Sequence, residues 1–300
     1  MPLVLQSEQR LYGASHDGAQ LLDFHPAFGS ASRAIDHVAP GVYEGLRTFG
    51  RSRFFGLRTH LDRLRDSIAG FRVPLEYDED ALVTAVAAAA ADATEAFGAE
   101  ARIRVDVSAE PARKLGSTSN VLLAVTPFRG LPEHIVKHGA TMRSVPGLRR
   151  PDPAVKTSDF ILLREAWIAA HGDADAYEHL MLSDDGALLE GTQSNLVLVR
   201  DGALHTAPSG VLPGVTLRAV LDAARADGIE VREEFTPFTD IGTFDEAFMT
   251  TSVRSVVPVS QIDDVPFDHV GPITERVGAL YDALADEDAV EPARRNEAKY

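Results

Sequence analysis

Three short stretches of this chain place polar groups where they can do chemistry. Leu212-Pro213-Gly214-Val215-Thr216 is a turn followed by the helical run Leu217, Val220, Leu221 and Ala224. A helix starting there aims the free N–H groups of Val215 and Thr216, with one hydroxyl, at a single anion. Pro-Gly-x-Thr also caps helices that bind nothing, so the turn alone announces only that a helix begins. Leu188 to Val197 sets Glu190 between an apolar strand and the polar turn Gly191-Thr192-Gln193-Ser194-Asn195. A carboxylate held there can pair with a heterocyclic nitrogen and keep it protonated, although a surface glutamate at a strand end is the simpler account of that residue by itself. Lys156 follows the turn Pro151-Asp152-Pro153 and precedes an apolar helix, which puts it at a domain entrance rather than mid-helix. Partial burial lowers a lysine's pKa and exposes the neutral amine that forms imines, whereas a lone lysine is ordinarily solvated.

The elements that must position these groups fall into two halves. In the first, His60 to Gly70 has helical spacing through Leu61, Leu64 and Ile68, and Asp80 to Phe97 is an alanine-rich helix closed by Gly98. Arg102 to Val107 alternates, with Ile103, Val105 and Val107 toward a core and Arg104 and Asp106 away from it; Val121 to Val125 is apolar throughout. In the second half a helix is expected from about Thr157 to Ala170, stopped by Gly172. Asp185-Gly186 and Asp201-Gly202 mark hairpins. A helix over Val215 to Ala226 and strands near Ile229 to Glu233, Glu246 to Thr250 and Val256 to Val259 complete the series. The pattern is α+β with a barrel-like second half. The boundaries read as a small domain over 1–127, a linker over 128–138 around Thr126-Pro127-Phe128-Arg129-Gly130-Leu131-Pro132, a larger domain over 139–290 and a flexible tail over 291–300, with fraying expected after Ala283.

Composition narrows the chemistry further. With no cysteine among 300 residues, disulfides, thiolate metal sites and thiol catalysis are excluded. The ten histidines show no metal-binding spacing, so His60 is read as a packing or hydrogen-bonding residue of its helix and no metal is expected. Ser117-Thr118-Ser119 reads as a loop and Trp167 as core. A formal net charge of −16 opposes nucleic acid, while a local basic cleft can still hold one small anion. Only Lys114, Lys137, Lys156 and Lys299 are lysines among 29 basic residues, which shortens the list of candidate nucleophilic amines. No run of about eighteen apolar residues appears, and Met1-Pro2-Leu3-Val4 lacks a secretory pattern; a cytoplasmic protein away from membranes is expected.

Taken together, these stretches resemble the fold-type IV family of pyridoxal-phosphate (PLP) enzymes, which includes branched-chain and D-amino-acid aminotransferases and aminodeoxychorismate lyases. The resemblance runs from about Asp36 to Ile262 as an ordered series: Gly41-Val42-Tyr43-Glu44-Gly45-Leu46-Arg47, His60-Leu61-Asp62-Arg63-Leu64, Lys156, Glu190 to Asn195, Leu212 to Thr216, Thr250-Thr251-Ser252 and Pro258-Val259. It implies a mixed α/β, two-domain fold with a smaller N-terminal α/β domain and a larger C-terminal pseudo-barrel domain that binds pyridoxal 5'-phosphate. It implies that Lys156 is the Schiff-base lysine and moves the proton at the substrate's α-carbon. By the same resemblance Glu190 pairs with the pyridine nitrogen, and Arg63, the Val215 and Thr216 amides and the Ser252 hydroxyl hold the phosphate, with Leu212 against the ring. Val38, Tyr43, Arg47, Arg104, Thr251, Val253 and Arg254 are then the candidate substrate-binding residues.

The implied activity is exchange of an amino group between an amino acid and a 2-oxo acid such as 2-oxoglutarate or pyruvate, by a homodimer. An aminodeoxychorismate lyase and a non-catalytic anion-binding protein of the same fold are the alternatives. The chain also departs from the pattern. Thr157-Ser158-Asp159-Phe160 after the lysine is closer to the D-amino-acid type, Tyr43-Glu44-Gly45-Leu46-Arg47 looks like the branched-chain type, and Arg254-Ser255 stands where a small residue and a glutamate are usual. The donor therefore stays open among branched-chain amino acids, D-amino acids and primary amines. On the functional reading Arg254 meets a substrate carboxylate; the simpler account leaves it in solvent or paired with a glutamate.

Overall fold

Residues 9–15, 17–267 and 270–292 are described by a computed structural model. The opening residues and most of the tail expected at 291–300 lie outside the described residues. Contacts divide the chain into two compact units. One runs up to Arg129 and takes in Val155–Asp159 and the stretch from Asp288; the other comprises Gly130–Ala154 and Phe160–Glu287.

The first unit is an antiparallel sheet of β1 (Arg10–Ser15), β2 (Gly18–Leu22), β3 (Gly41–Arg47), β4 (Ala101–Ser108) and β5 (Val121–Pro127), in the order β2-β1-β5-β4-β3. A short helix α1 (Ala31–Ile35) packs on β5, and helices α2 (Leu57–Gly70) and α3 (Glu79–Phe97) pack on the sheet. Alternation dictates one face: Ile103, Val105 and Val107 join Val42, Leu46, Leu64, Val86 and Ala89 in a single core. Ala85, Ala89 and Ala93 of α3 are fully buried, so the alanine run that looks like filler is what lets the helix backbone approach the strands. Asp78 caps α3 by accepting from the Ala81 amide at 3.0 Å, and Gly98 ends it in the left-handed region at φ 64°. The polar face of β4 differs from the alternating reading: Arg104 and Asp106 point away from this core yet are themselves buried.

The helix expected from Thr157 begins two residues later, as α5 (Asp159–His171), because the residues before it are committed to β3. The Tyr43 amide donates to the Lys156 carbonyl at 2.9 Å, the Ser158 amide donates to the Gly41 carbonyl at 2.9 Å, and Val42 bridges Thr157 in antiparallel fashion. Those bonds draw Val155–Asp159 into the first unit. Its last segment is fixed in the same way, since the Phe54 amide donates to the Val290 carbonyl at 2.7 Å and the reverse bond is 3.0 Å.

The second unit holds α4 (Glu133–His138), β6 (Ala140–Ser144), most of α5, β7 (Glu178–Leu182), β8 (Leu188–Gly191), β9 (Asn195–Arg200), β10 (Ala203–Thr206), α6 (Val215–Ala226), β11 (Val231–Glu233), β12 (Glu246–Thr251), β13 (Ser255–Ile262), β14 (Val265–Pro266) and α7 (Pro272–Asp288). Its strands run β11-β10-β9-β12-β13-β6-β7-β8, and β8 pairs back onto β9 through Glu190 and Asn195. That pairing closes six strands into a ring and gives the barrel-like half its form. Met142, Leu180, Leu188, Leu196, Leu198, Met249, Val257 and Val259 share its core. Both expected hairpins are present; Asp201 and Gly202 take φ 52° and 76°, the pair of positive values that a two-residue turn between right-twisted strands requires. No fraying follows Ala283 up to Asp288: α7 continues through it because Tyr281 and Ala285 are buried. Among the described residues, no helix is long and apolar enough to cross a membrane.

Gly41 is where three strands of backbone crowd together. A Cβ there would sit 2.0 Å from the Val107 carbonyl oxygen and 2.7 Å from the Ser108 Cα, with no flexible side chain to give way. Gly41→Ala is expected to lower stability by about 1–3 kcal/mol, read as an earlier urea midpoint at unchanged slope; an unaltered midpoint would contradict this packing.

Candidate active site

In the first unit, α2 presents His60, Arg63 and Ser67 on one face, as spacings of three and four residues require. Arg63 donates through Nε to Glu44 Oε1 at 2.7 Å and through Nη2 to Glu44 Oε2 at 2.6 Å, and His60 Nδ1 lies 3.0 Å from the same carboxylate. All three are buried. Burial alone would raise the Glu44 pKa, but the Arg63 guanidinium and the His60 hydrogen bond outweigh it and hold the carboxyl well below the usual range. Burial pushes His60 down against the pull of Glu44, which leaves it neutral and donating through Nδ1.

Ser67, a turn further on, accepts the Lys156 amide at 3.1 Å. Lys156 is thereby held between α2, through its N–H to Ser67, and β3, through its carbonyl to the Tyr43 amide, with its Nζ 4.7 Å from the centre of the Tyr43 ring. Arg104 lies 5.3 Å from the same ring and donates to Asp106 through Nε and Nη2, both at 2.8 Å, and to Asp36 through Nη1 at 2.9 Å. Arg47 stacks on Phe49 and Phe128, at 4.2 and 4.6 Å from their ring centres. Val38 is half-buried beside α1.

In the second unit Glu190 is 2% exposed and is held from three sides. Arg150 Nε donates to its Oε1 at 3.2 Å, while Asn195 Nδ2 and the Leu212 amide each donate to its Oε2 at 3.0 Å. The turn that follows is organised by a second buried carboxylate. Glu178 accepts from the Thr192 hydroxyl and the His179 amide at 2.8 Å, and from the Gln193 amide and Ser194 hydroxyl at 3.2 Å. Asn195 also donates to the Leu212 carbonyl at 2.9 Å, tying the acidic turn to the segment that opens α6. No side chain caps the N-terminus of α6, where Val215 and Thr216 are buried, and a Cβ on Gly214 would meet Asn195 Oδ1 at 2.0 Å. Ser252 and Val253 lie in the turn after Thr251, half-buried; Arg254 is exposed, with its guanidinium 5.1 Å from the Tyr177 ring centre.

This donor set suits a phosphorylated pyridine. A buried helix N-terminus without a side-chain cap and the buried Thr250 hydroxyl, which has no partner among the described residues, are what an anion would satisfy. Glu190 is buried and oriented by three donors, an arrangement that suits an acceptor for a ring N–H. Glu44, Arg150, Asn195 and Glu178 were not singled out from the sequence as functional. Glu44 did carry a signal: it stands between Val42 and Leu46 on the apolar face of an alternating strand, and a charge there requires a buried partner. Arg150 and Glu178 carried none, because their partners are 40 and 14 residues away.

The Glu44–Arg63 pair gives a pH-dependent expectation. A carboxyl whose folded pKa is depressed contributes stability that is fully present above its unfolded value and is lost as pH falls through the folded one. Stability of the wild type should therefore decline as pH drops below about 4.3, and Glu44→Gln should flatten that decline while costing about 3–5 kcal/mol at neutral pH by leaving Arg63 unpaired. Urea titrations at a series of pH values measure both effects.

The family model for class IV amino-transferases matches residues 41–262. A Methanocaldococcus jannaschii protein provisionally named as a branched-chain-amino-acid aminotransferase is 30% identical over 250 residues, covering 79% of this chain and 84% of that one. The Escherichia coli K12 branched-chain-amino-acid aminotransferase is 28% identical over 262 residues, covering 83% and 85%. Among solved structures, a Thermotoga maritima protein with the same provisional name superposes with a TM-score of 0.72 at 27% identity over 92% of this chain and 96% of that one. A PLP-bound Mycobacterium tuberculosis hypothetical aminotransferase gives 0.70 at 22% over 93% and 99%, a likeness of fold. With three quarters of its length matched in this way, the chain belongs to the class IV amino-transferase family and is an enzyme that transfers amino groups with pyridoxal phosphate.

Proposed function

We propose that this enzyme moves the amino group of a branched-chain amino acid to a 2-oxo acid, with Lys156 as the amine that joins the cofactor. The observation that carries the assignment of Lys156 is its attachment to β3, where backbone bonds on both sides fix its position and its Nζ lies against Tyr43. The donor class is supported by the names of the two relatives above, a branched-chain-amino-acid aminotransferase and a protein provisionally so named.

Bound pyridoxal phosphate supplies the electron sink for the reaction. In this reading Lys156 Nζ takes and returns the proton at the substrate's α-carbon, its backbone fixed by the Tyr43 amide on one side and the Ser67 hydroxyl on the other. Glu190 pairs with the pyridine nitrogen, and its three donors fix the orientation of the carboxylate. Val215, Thr216, Ser252 and Arg63 hold the phosphate, with Arg63 oriented by Glu44, and Leu212 lies against the ring. Tyr43 orients the lysine and keeps water from it. Val38, Arg47, Thr251, Val253 and Arg254 contact substrate, Arg254 being the exposed cation suited to a carboxylate. A cytoplasmic homodimer is the working state in this reading, which light scattering on the purified enzyme tests.

Borohydride reduction followed by peptide mapping should place the cofactor on Lys156, and Lys156→Ala should lose both that label and all transfer. Label on Lys114 or Lys137 would sink the assignment. Arg63→Ala should weaken cofactor binding by about 10- to 150-fold, the loss of one charge-assisted bond, whereas Glu190→Gln should leave binding largely intact and slow the exchange. Equal effects of the two variants on both quantities would count against these roles.

A further inference from the structure

Arg104, Asp106 and Asp36 form a buried ionic cluster one aromatic ring away from the Lys156 amine. Register dictates the arrangement: Tyr43 and Gly45 on β3 stand opposite Asp106 and Arg104 on β4, so all four share a face. Arg104 and Lys156 both rest against the Tyr43 ring, at 5.3 and 4.7 Å from its centre. Opposite Arg104 there is room, since a Cβ on Gly45 would meet nothing within 4 Å. A substrate whose amino end is at Lys156 has this open floor within reach of its side chain.

The cluster claims four of the five donors that Arg104 could offer an incoming carboxylate. A guanidinium carries five N–H groups, and Arg104 directs two at Asp106, one at Asp36 and one more at the Ser32 carbonyl at 3.4 Å. One guanidinium facing two carboxylates has an acidic surplus, and Asp106 is 3% exposed, so water does not screen it. Arg47, the next cation on β3, is stacked on Phe49 and Phe128. A second substrate carboxylate placed over Gly45 would lose its hydration, find four of the five Arg104 donors taken and face Asp36 and Asp106.

We infer that Asp36 and Asp106 are specificity-determining residues: by occupying Arg104 they make the face beside Tyr43 refuse dicarboxylates, so that the enzyme takes amino acids and 2-oxo acids with uncharged side groups. This deepens the reading of Lys156 as the reacting amine and rests on it. Arg104 then acts as a structural wall and not as a reader of substrate charge.

The test uses the holoenzyme with 4-methyl-2-oxopentanoate, pyruvate and 2-oxoglutarate as acceptors. Wild type is expected to favour the two monocarboxylates at least about tenfold in kcat/KM. Asp106→Asn, which keeps the shape and removes the charge, should raise the specificity ratio for 2-oxoglutarate about tenfold or more, chiefly through KM, by releasing Arg104. Asp36→Asn, at the edge of the cluster, should move the ratio in the same direction and serves where Asp106→Asn folds poorly. Binding of the unreactive acids glutarate and 4-methylpentanoate, followed by quenching of the Trp167 or cofactor fluorescence, should show the same reversal without turnover. Exchange in the wild type that already prefers 2-oxoglutarate, or variants that change every acceptor by one factor, would overturn the inference and leave Lys156 in place. Cofactor label on a different lysine would overturn the reading of Lys156 and this inference with it.

Discussion

The pairing of Glu190 with Asn195 is the contact on which the second unit depends. It is the one point where β8 meets β9, and without it the strand series has two edges and no ring. The same two residues join the candidate site, because the Asn195 amide holds the Glu190 carboxylate and the Leu212 carbonyl together. Closure of the sheet and orientation of the Glu190 carboxylate thus share one pair of residues. Glu178 reinforces it from β7 by gathering four donors around the turn between them. A buried carboxylate in that position is costly alone, and its four hydrogen bonds are what allow it to be there.

A related constraint governs the first unit. Two of its buried arginines are met by carboxylates of the same unit: Arg63 by Glu44, and Arg104 by Asp106 and Asp36. Buried ion pairs of this kind add little net stability compared with apolar packing, because desolvation consumes most of the attraction. Their effect is directional. A bidentate guanidinium–carboxylate pair fixes the plane of both groups, so Arg63 keeps one orientation. Lys156 is positioned differently, through backbone bonds to Tyr43 of β3 and to Ser67.

The sequence by itself determined what local rules decide. The amphipathic spacing of α2, the alanine run of α3, the alternation of β4 and the Asp-Gly hairpins were all legible, since periodicity and turn chemistry act over a few residues. The order of short motifs was also legible, and with it the family, the cofactor and the candidates Lys156, Glu190 and Arg63. Tertiary structure decided the partners of the charges and hence their meaning. Arg104 and Asp106 read as the outward face of a strand, but α1 and Asp36 cover that face, and a guanidinium that the motif offers to substrate is claimed by carboxylates of its own chain. The start of α5 moved from Thr157 to Asp159 for the same kind of reason: Thr157 and Ser158 pair with β3, more than a hundred residues earlier. Arg150 could be found only when folding brought it to Glu190. A charge's type is written locally, whereas its desolvation and its partner depend on residues distant in sequence, and those two quantities fix what the charge can do.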